Sequence, residues 1–169
     1  HAMMLGLINE AADTNTAFSE YELSKSYHGI NDSVDGGLFD IAKRNLIFNN
    51  FRGDVVANLL DGTFNSDVIN SVSKSAWVQT VDAANEAYRP GQFTTFAAYE
   101  YTSSTEELGN LHRNVVFRGT DKLPAVPFSR LNSINPEGLW RWMDGLREQG
   151  IESLAIPHNS NGSNGAMFA

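Results

Sequence analysis

The first half of the chain spaces its apolar residues at every third or fourth position, which is the period of amphipathic helices. This pattern predicts four helical segments, at 5–12, 38–49, 55–60 and one that Ser66 caps. The fourth is the longest predicted helix, and Pro90-Gly91 ends it. Asn50 and Gly53 interrupt the pattern between the second segment and the third. We expect an exposed loop over residues 29–37.

The second half is rich in β-branched and aromatic residues, which favour short strands. Three strands are predicted, over 93–101, 114–118 and 153–156. A helix should begin at Pro136 with Asn135 as its N-cap and end at Gly150. Its predicted buried stripe comprises Leu139, Trp142 or Met143, and Leu146. The order of strand, long connection, helix and strand is the pattern of a βαβ crossover.

These elements predict an α/β fold in one domain. Residues 4–91 would form a mainly helical segment, and residues 92–169 a strand and helix segment with a small mixed sheet. Residues 1–3 resemble the remnant of an expression tag. A chain of 169 residues is long enough for a core that needs no disulfide or metal.

Composition excludes several classes of function. The formal net charge is -8, and no basic stripe is interleaved with aromatic residues, so nucleic acid is not an expected partner. The chain has no cysteine, which excludes disulfides, thiolate metal sites and cysteine nucleophiles. No apolar run approaches the roughly 20 residues of a membrane helix. We therefore expect a soluble protein.

Three predicted strands each carry, at one end, a side chain that can bind a metal or move a proton. Glu100 and His158 follow the apolar runs of their strands, whereas His112 precedes its strand and reaches the same end only if that strand runs antiparallel. Carboxylate and imidazole ligands without sulfur suit Zn, Mn or Fe. The spacing leaves a second interpretation open, in which Glu100 forms an ion pair with Arg113 or Arg118 and His158 is an ordinary hydrogen-bonded loop residue.

Five motifs occur in a fixed order along the chain. They are FTTFAAYEYT at 93–102, GNLHRNVVF at 109–117, PEGLW at 136–140, AIPHNSN at 155–161 and GAMF at 165–168. This series resembles the bacterial family called domain of unknown function 3604, closely from 77 to 168 and loosely before that. The family is itself similar to the polymerase-and-histidinol-phosphatase (PHP) metallohydrolases.

The PHP resemblance implies a distorted β/α barrel with a multinuclear site of divalent metal ions, in many relatives used to hydrolyse phosphate esters. It implies that Glu100 is a bridging or terminal carboxylate ligand and that His112 and His158 are imidazole ligands. It further implies that Arg113 and Asn159 hold substrate oxygens. A small-molecule substrate such as a phosphate ester, and a bacterial cytoplasmic or periplasmic location, would follow from the resemblance.

The chain departs from the PHP pattern in its histidines. The His-x-His strand, the Thr-Asp-His strand and the last histidine-bearing strand of that pattern are missing, and the other histidines are His1 and His28. His28 is expected to be a solvated surface residue. We therefore expect a partial barrel, the central fragment of a longer phosphoesterase. By itself it could lack bound metal, have no more than trace activity, and self-associate through an open sheet edge.

Two other functions stay open from the sequence. The first is a non-catalytic binding or scaffold domain, in which the glutamate and the histidines are structural. The second is a sugar-binding or sugar-hydrolysing module that uses Trp140 and Trp142 as aromatic platforms. It is less favoured, because both tryptophans fall on or near the predicted buried stripe of their helix.

Overall fold

The computed structural model describes residues 2–32, 37–107 and 109–168. The chain divides into two compact units, Ala2–Ala76 and Trp77–Ala169. No helix in the described ranges combines the length and the apolar character that crossing a membrane requires. His1 and part of the predicted loop over 29–37 lie outside the described residues.

The first unit is helical, as predicted. It contains α1 (Ala2–Ala12), α2 (Glu22–Lys25), α3 (Leu38–Leu60) and the beginning of α4 (Ser66–Ala87). Its core is formed by buried aliphatic and aromatic side chains, among them Leu7, Phe18, Phe51 and Val55. His28 is exposed, as predicted, and its Nε2 lies 3.1 Å from the carbonyl oxygen of Ser19.

The prediction of two helical segments within residues 38–60 is wrong, because α3 is a single helix of 23 residues. Phe51 and Val55 are fully buried and continue one apolar stripe past Gly53. A glycine inside a helix costs about 1 kcal/mol relative to alanine, which is less than the burial of two large side chains contributes. Asn50 and Gly53 lie on the exposed side of the helix.

The start of α4 also differs from the prediction by one residue. Asn65 is the cap, because its side-chain oxygen accepts a hydrogen bond of 2.7 Å from the backbone N–H of Asp67. Ser66 is instead the first helical residue. With 22 residues, α4 is one residue shorter than α3 and so is not the longest helix.

The second unit is built on two small sheets. The first has the strand order β1 (Ala98–Tyr101), β4 (Arg113–Phe117) and β5 (Ser153–Pro157). The second pairs β2 (Ser104–Thr105) with β3 (Gly109–Asn110), a hairpin that the sequence pattern did not indicate. β1 begins five residues later than predicted, and Phe93 and Phe96 before it are exposed. The described residues form an α/β structure in which no barrel closes.

The predicted βαβ crossover and mixed sheet are wrong. β4 is antiparallel to both β1 and β5, so every neighbouring pair in the three-stranded sheet is antiparallel. Phe117 at the end of β4 pairs with Ser153 at the start of β5. The end of β4 and the start of β5 therefore lie side by side, at the same end of the sheet. The segment between them, which contains α5 (Pro136–Glu148), replaces the tight turn of a hairpin.

One face of this sheet is packed and the other is open. Tyr101, Val115 and Phe117 form a core with α5, whose Leu139, Met143 and Leu146 are buried as predicted. On the other face Leu154 and Ile156 are 54% and 49% exposed. The expectation that both tryptophans of α5 lie near the buried stripe holds for the half-buried Trp142, whereas Trp140 is exposed.

The predicted ends of α5 are confirmed. The side chain of Asn135 accepts a hydrogen bond of 3.0 Å from the backbone N–H of Glu137, and Pro136 occupies the first turn. Gly150 follows the helix with a φ of +79°, a conformation that glycine adopts without strain. Both ends of α5 are therefore specified by residues that lie in the helix or directly beside it.

Candidate metal centre

The register of the three-stranded sheet brings Glu100, His112 and His158 together at one end of the strands. Glu100 is the penultimate residue of β1, His112 directly precedes β4, and His158 directly follows β5. Because β4 runs antiparallel to both neighbours, its beginning lies beside the ends of β1 and β5. His112 therefore lies at the same end of the sheet as Glu100 and His158, because its strand runs antiparallel to its neighbours.

The three side chains also belong to one face of the sheet. Strand residues alternate between faces, and Glu100 is paired with Asn114, two residues beyond His112. Such diagonal neighbours are within reach of each other when their side chains are long. The backbone N–H of His158 donates a hydrogen bond of 3.2 Å to the carbonyl of His112, which extends the β4–β5 ladder by one pair. The backbone therefore fixes both histidines relative to each other.

The distances within this cluster are short. Oε1 of Glu100 lies 2.9 Å from Nδ1 of His112 and 3.4 Å from Nε2 of His158. One ligand atom from each residue lies within 4.8 Å of the others, and no other described residues form such a group of three. The side chains of Glu100, His112 and His158 are 15%, 17% and 30% exposed. The cluster is therefore partly shielded from water but open to a small ligand.

The cluster could hold a single divalent cation. Two ligand atoms that are each about 2.0–2.1 Å from a tetrahedral zinc ion lie about 3.3 Å from each other. The two measured distances from Glu100 fall on either side of this value. The donor set of one carboxylate and two imidazoles is used in catalytic zinc sites, which take three protein ligands.

His112 is suited to act as a neutral ligand. Burial lowers the pKa of its imidazole, and Glu100 opposes this shift, while His158 and Arg130 lower the pKa further. At neutral pH the ring is therefore uncharged, and the tautomer that carries its proton on Nε2 would offer the lone pair of Nδ1 to an ion. Nδ1 is the ring nitrogen that faces Glu100, at 2.9 Å.

His158 has one ring nitrogen that the described residues leave unsatisfied. Its Nδ1 is buried and has no hydrogen-bond partner among them. Buried polar atoms in native proteins are nearly always paired with protein, water or an ion. Nε2, not Nδ1, is the ring nitrogen that lies near Glu100, so an ion at the cluster would leave Nδ1 to a separate partner such as ordered water.

The two predicted substrate residues lie next to the cluster but outside it. Arg113 is buried on the packed face, donates a hydrogen bond to the carbonyl of Leu111, and lies 5.0 Å from the ring centroid of Trp140. Burial lowers its pKa. Asn159 is exposed and adopts a left-handed conformation, with a φ of +61°, at the start of the turn after His158. Their role in binding substrate stays a prediction.

Arg113 and Arg118, which the sequence offered as ion-pair partners of Glu100, have other partners in the structure. Arg118 pairs with Glu152, and both side chains are exposed. The guanidinium of Arg113 donates to a backbone carbonyl. Glu100 instead contacts the two histidines.

Sequence reasoning missed two features that support the site. Gly109 of β3 has a φ of +65°, and a Cβ there would lie 2.4 Å from the carbonyl oxygen of Gly162. Only glycine allows the small hairpin to pack so closely on the loop after His158. The second feature is Arg130, whose charge acts on His112. Arg130 belongs to an irregular connection whose residues carry no periodic signal.

Comparison with known families agrees with the resemblance of the five motifs. A family model described as "Protein of unknown function (DUF3604)" matches residues 1–169. The chain belongs to this family. No curated protein and no solved structure matched the chain. Membership of this family assigns no activity, so the site itself carries the argument on function.

Proposed function

We propose that Glu100, His112 and His158 bind one divalent metal ion, and that this family member forms part of a PHP-like metal-dependent hydrolase acting on phosphate esters. The observation that carries the proposal is the convergence of one carboxylate and two imidazoles, with ligand atoms within 4.8 Å, from three strands of one sheet. Zn, Mn and Fe suit these donors. A bound ion of this kind activates water and stabilises negative charge that develops on the substrate.

The chain's own residues would have distinct roles. Glu100 holds the centre of the cluster, since it contacts both histidines. The backbone hydrogen bond between His112 and His158 holds the two residues side by side, from where both imidazoles can reach one ion. Asn159, which is exposed beside His158, is a candidate for contact with a substrate oxygen.

A second candidate is a non-catalytic domain in which the cluster is structural. The 2.9 Å contact between Glu100 and His112 favours it, because this pair is already hydrogen-bonded without an ion. The two candidates differ in one property that is simple to measure. A structural cluster would have no affinity for Zn or Mn, and a metal site would bind one equivalent.

Hydrolysis is tested with p-nitrophenyl phosphate in the presence of Mn²⁺ or Zn²⁺. We expect slow turnover that a chelator abolishes, because one ion held by three ligands lacks the second metal that supports leaving groups in two-metal sites. Glu100→Gln and His158→Ala should abolish this turnover, and His28→Ala, which changes an exposed histidine in the other unit, should leave it intact. Turnover that survives Glu100→Gln, or that needs no metal, would contradict the proposal.

A further inference from the structure

Two neighbouring side chains of β4 lie on opposite faces of the three-stranded sheet. Strand residues alternate between faces, and Arg113 and Val115 are buried whereas Asn114 between them is exposed. Arg113 therefore belongs to the packed face, and Asn114 belongs to the open face that carries the candidate metal centre. The resemblance implied that Arg113 holds substrate oxygens, but the register favours the residue directly after it.

Asn114 lies beside all three proposed metal ligands. It is paired with Glu100 on β1 and with Ile156 on β5. Directly opposite residues of an antiparallel pair have Cβ atoms about 4.5–5.5 Å apart, and diagonal neighbours are about 7–8 Å apart. His112 precedes Asn114 by two residues on the same face, and His158 follows Ile156 by two. The carboxamide of Asn114 is therefore placed next to any group that binds at the cluster.

The open face of the sheet is polar at the end that carries the cluster and apolar elsewhere. Its strand residues other than Glu100 and Asn114 are all apolar, namely Ala98, Val116, Leu154 and Ile156. Asparagine is depleted in strands, where β-branched and aromatic residues are favoured. A residue that departs from the local preference beside a candidate site is expected to serve that site rather than the strand.

The carboxamide of Asn114 is available to a ligand. It forms no hydrogen bond with any residue in the ranges 2–32, 37–107 and 109–168. By contrast, the side chains of Asn135 and Asn164 are bonded to backbone groups. A carboxamide carries two N–H donors and no charge, so it can donate to an anionic oxygen without the repulsion that a carboxylate would cause.

We propose that Asn114 donates a hydrogen bond from its carboxamide to an anionic oxygen of the substrate that the candidate metal centre receives, such as a phosphate ester presents. This inference rests on the proposed function, because it assigns a substrate contact to the same site. A hydrogen bond to a charged oxygen is stronger than a neutral one. Asn114 lies on the central strand of its sheet, with a paired strand on each side, so its position is more rigid than that of Asn159 on the turn after β5.

The test is calorimetric titration of inorganic phosphate into the chain, both metal-free and loaded with one equivalent of Mn²⁺. Asn114→Val removes the donors but suits a strand, and it should weaken phosphate binding by about 10–100-fold, the loss expected for a hydrogen bond to a charged group. Asn114→Asp keeps the size but replaces the donors with a carboxylate, and it should weaken phosphate binding at least as much. Asn50→Ala, which changes an exposed asparagine of the other unit, should bind phosphate as the unchanged chain does. Mn²⁺ affinity, titrated separately, should be the same in Asn114→Val.

The outcomes separate this inference from the proposed function. If Mn²⁺ binds but phosphate affinity is the same in Asn114→Val, or if phosphate does not bind at all, the inference is overturned and the metal site stands. If Asn114→Val loses Mn²⁺ affinity, Asn114 is a metal ligand instead, which also overturns the inference.

Failure of the metal site has its own signature. If Mn²⁺ does not bind but the metal-free chain binds phosphate through Asn114, the inference stands and the proposed metal centre is lost. If neither Mn²⁺ nor phosphate binds, both are overturned. Should Asn114→Val fail to fold by circular dichroism, the comparison of Asn114→Asp with the unchanged chain decides.

Discussion

Replacing Leu146 with alanine tests which face of the sheet is packed. Leu146 is 6% exposed and belongs to the core that α5 forms with the sheet. Truncating a buried leucine removes its transfer free energy and leaves a cavity, which together lower the free energy of unfolding by about 2–5 kcal/mol. The matched control is Leu154→Ala on the open face, where the side chain is 54% exposed. There we expect a loss of at most about 1 kcal/mol.

The assay is urea unfolding followed by tryptophan fluorescence. All three tryptophans, Trp77, Trp140 and Trp142, lie in the unit Trp77–Ala169, so the signal reports on the unit that carries the sheet. An unchanged dependence of the free energy on urea would show that both variants expose the same surface on unfolding.

Two results would refute the reasoning. A loss below about 0.5 kcal/mol for Leu146→Ala would mean that α5 does not bury this face. A loss of about 2 kcal/mol or more for Leu154→Ala would mean that the open face is covered in solution. Size-exclusion chromatography of the unchanged chain would then show whether a second copy of the chain covers it.

Three further outcomes are expected for the metal-free chain, each measured by urea unfolding. Asn135→Ala removes the acceptor of the Glu137 N–H and should cost about 1 kcal/mol, most of which Asn135→Ser should restore. Burial lowers the pKa of His112 below the 6.5 of an unfolded histidine, so the unfolded state binds more protons as the pH falls. The free energy of unfolding should therefore decrease from about pH 6.5 downward. In His112→Gln this decrease should be less steep. Gly109→Ala should cost more than about 1 kcal/mol, since φ is +65° and the new Cβ would clash, whereas Gly119→Ala, with open space around it, should be within about 0.5 kcal/mol of the parent.

The features that could be predicted from the sequence are those that neighbouring residues determine. The ends of α5 depend on Asn135, Pro136 and Gly150, and each acts on backbone groups a few residues away. The core-facing stripe of α5 follows from the helical period alone. The three chemical side chains could also be identified, because each lies at one end of a predicted strand.

The features that could not be predicted depend on residues far apart in the chain. Periodicity indicates a strand but not its direction, so the antiparallel pairing of β4 with β5 required the structure. The continuity of α3 past Gly53 depends on the core that buries Phe51 and Val55. The position of Arg130 depends on contacts between its loop and Tyr101.

The most direct test of the proposed metal centre is a calorimetric titration of the metal-free chain with Zn²⁺ at neutral pH. We expect one equivalent to bind, and we expect Glu100→Gln, His112→Ala and His158→Ala each to weaken binding by at least about 10-fold, as even the loss of supporting groups does in metal sites. His28→Ala should bind as the unchanged chain does, because His28 lies in the other unit. Absence of binding, or equal affinity in all four variants, would contradict the assignment of Glu100, His112 and His158 as metal ligands.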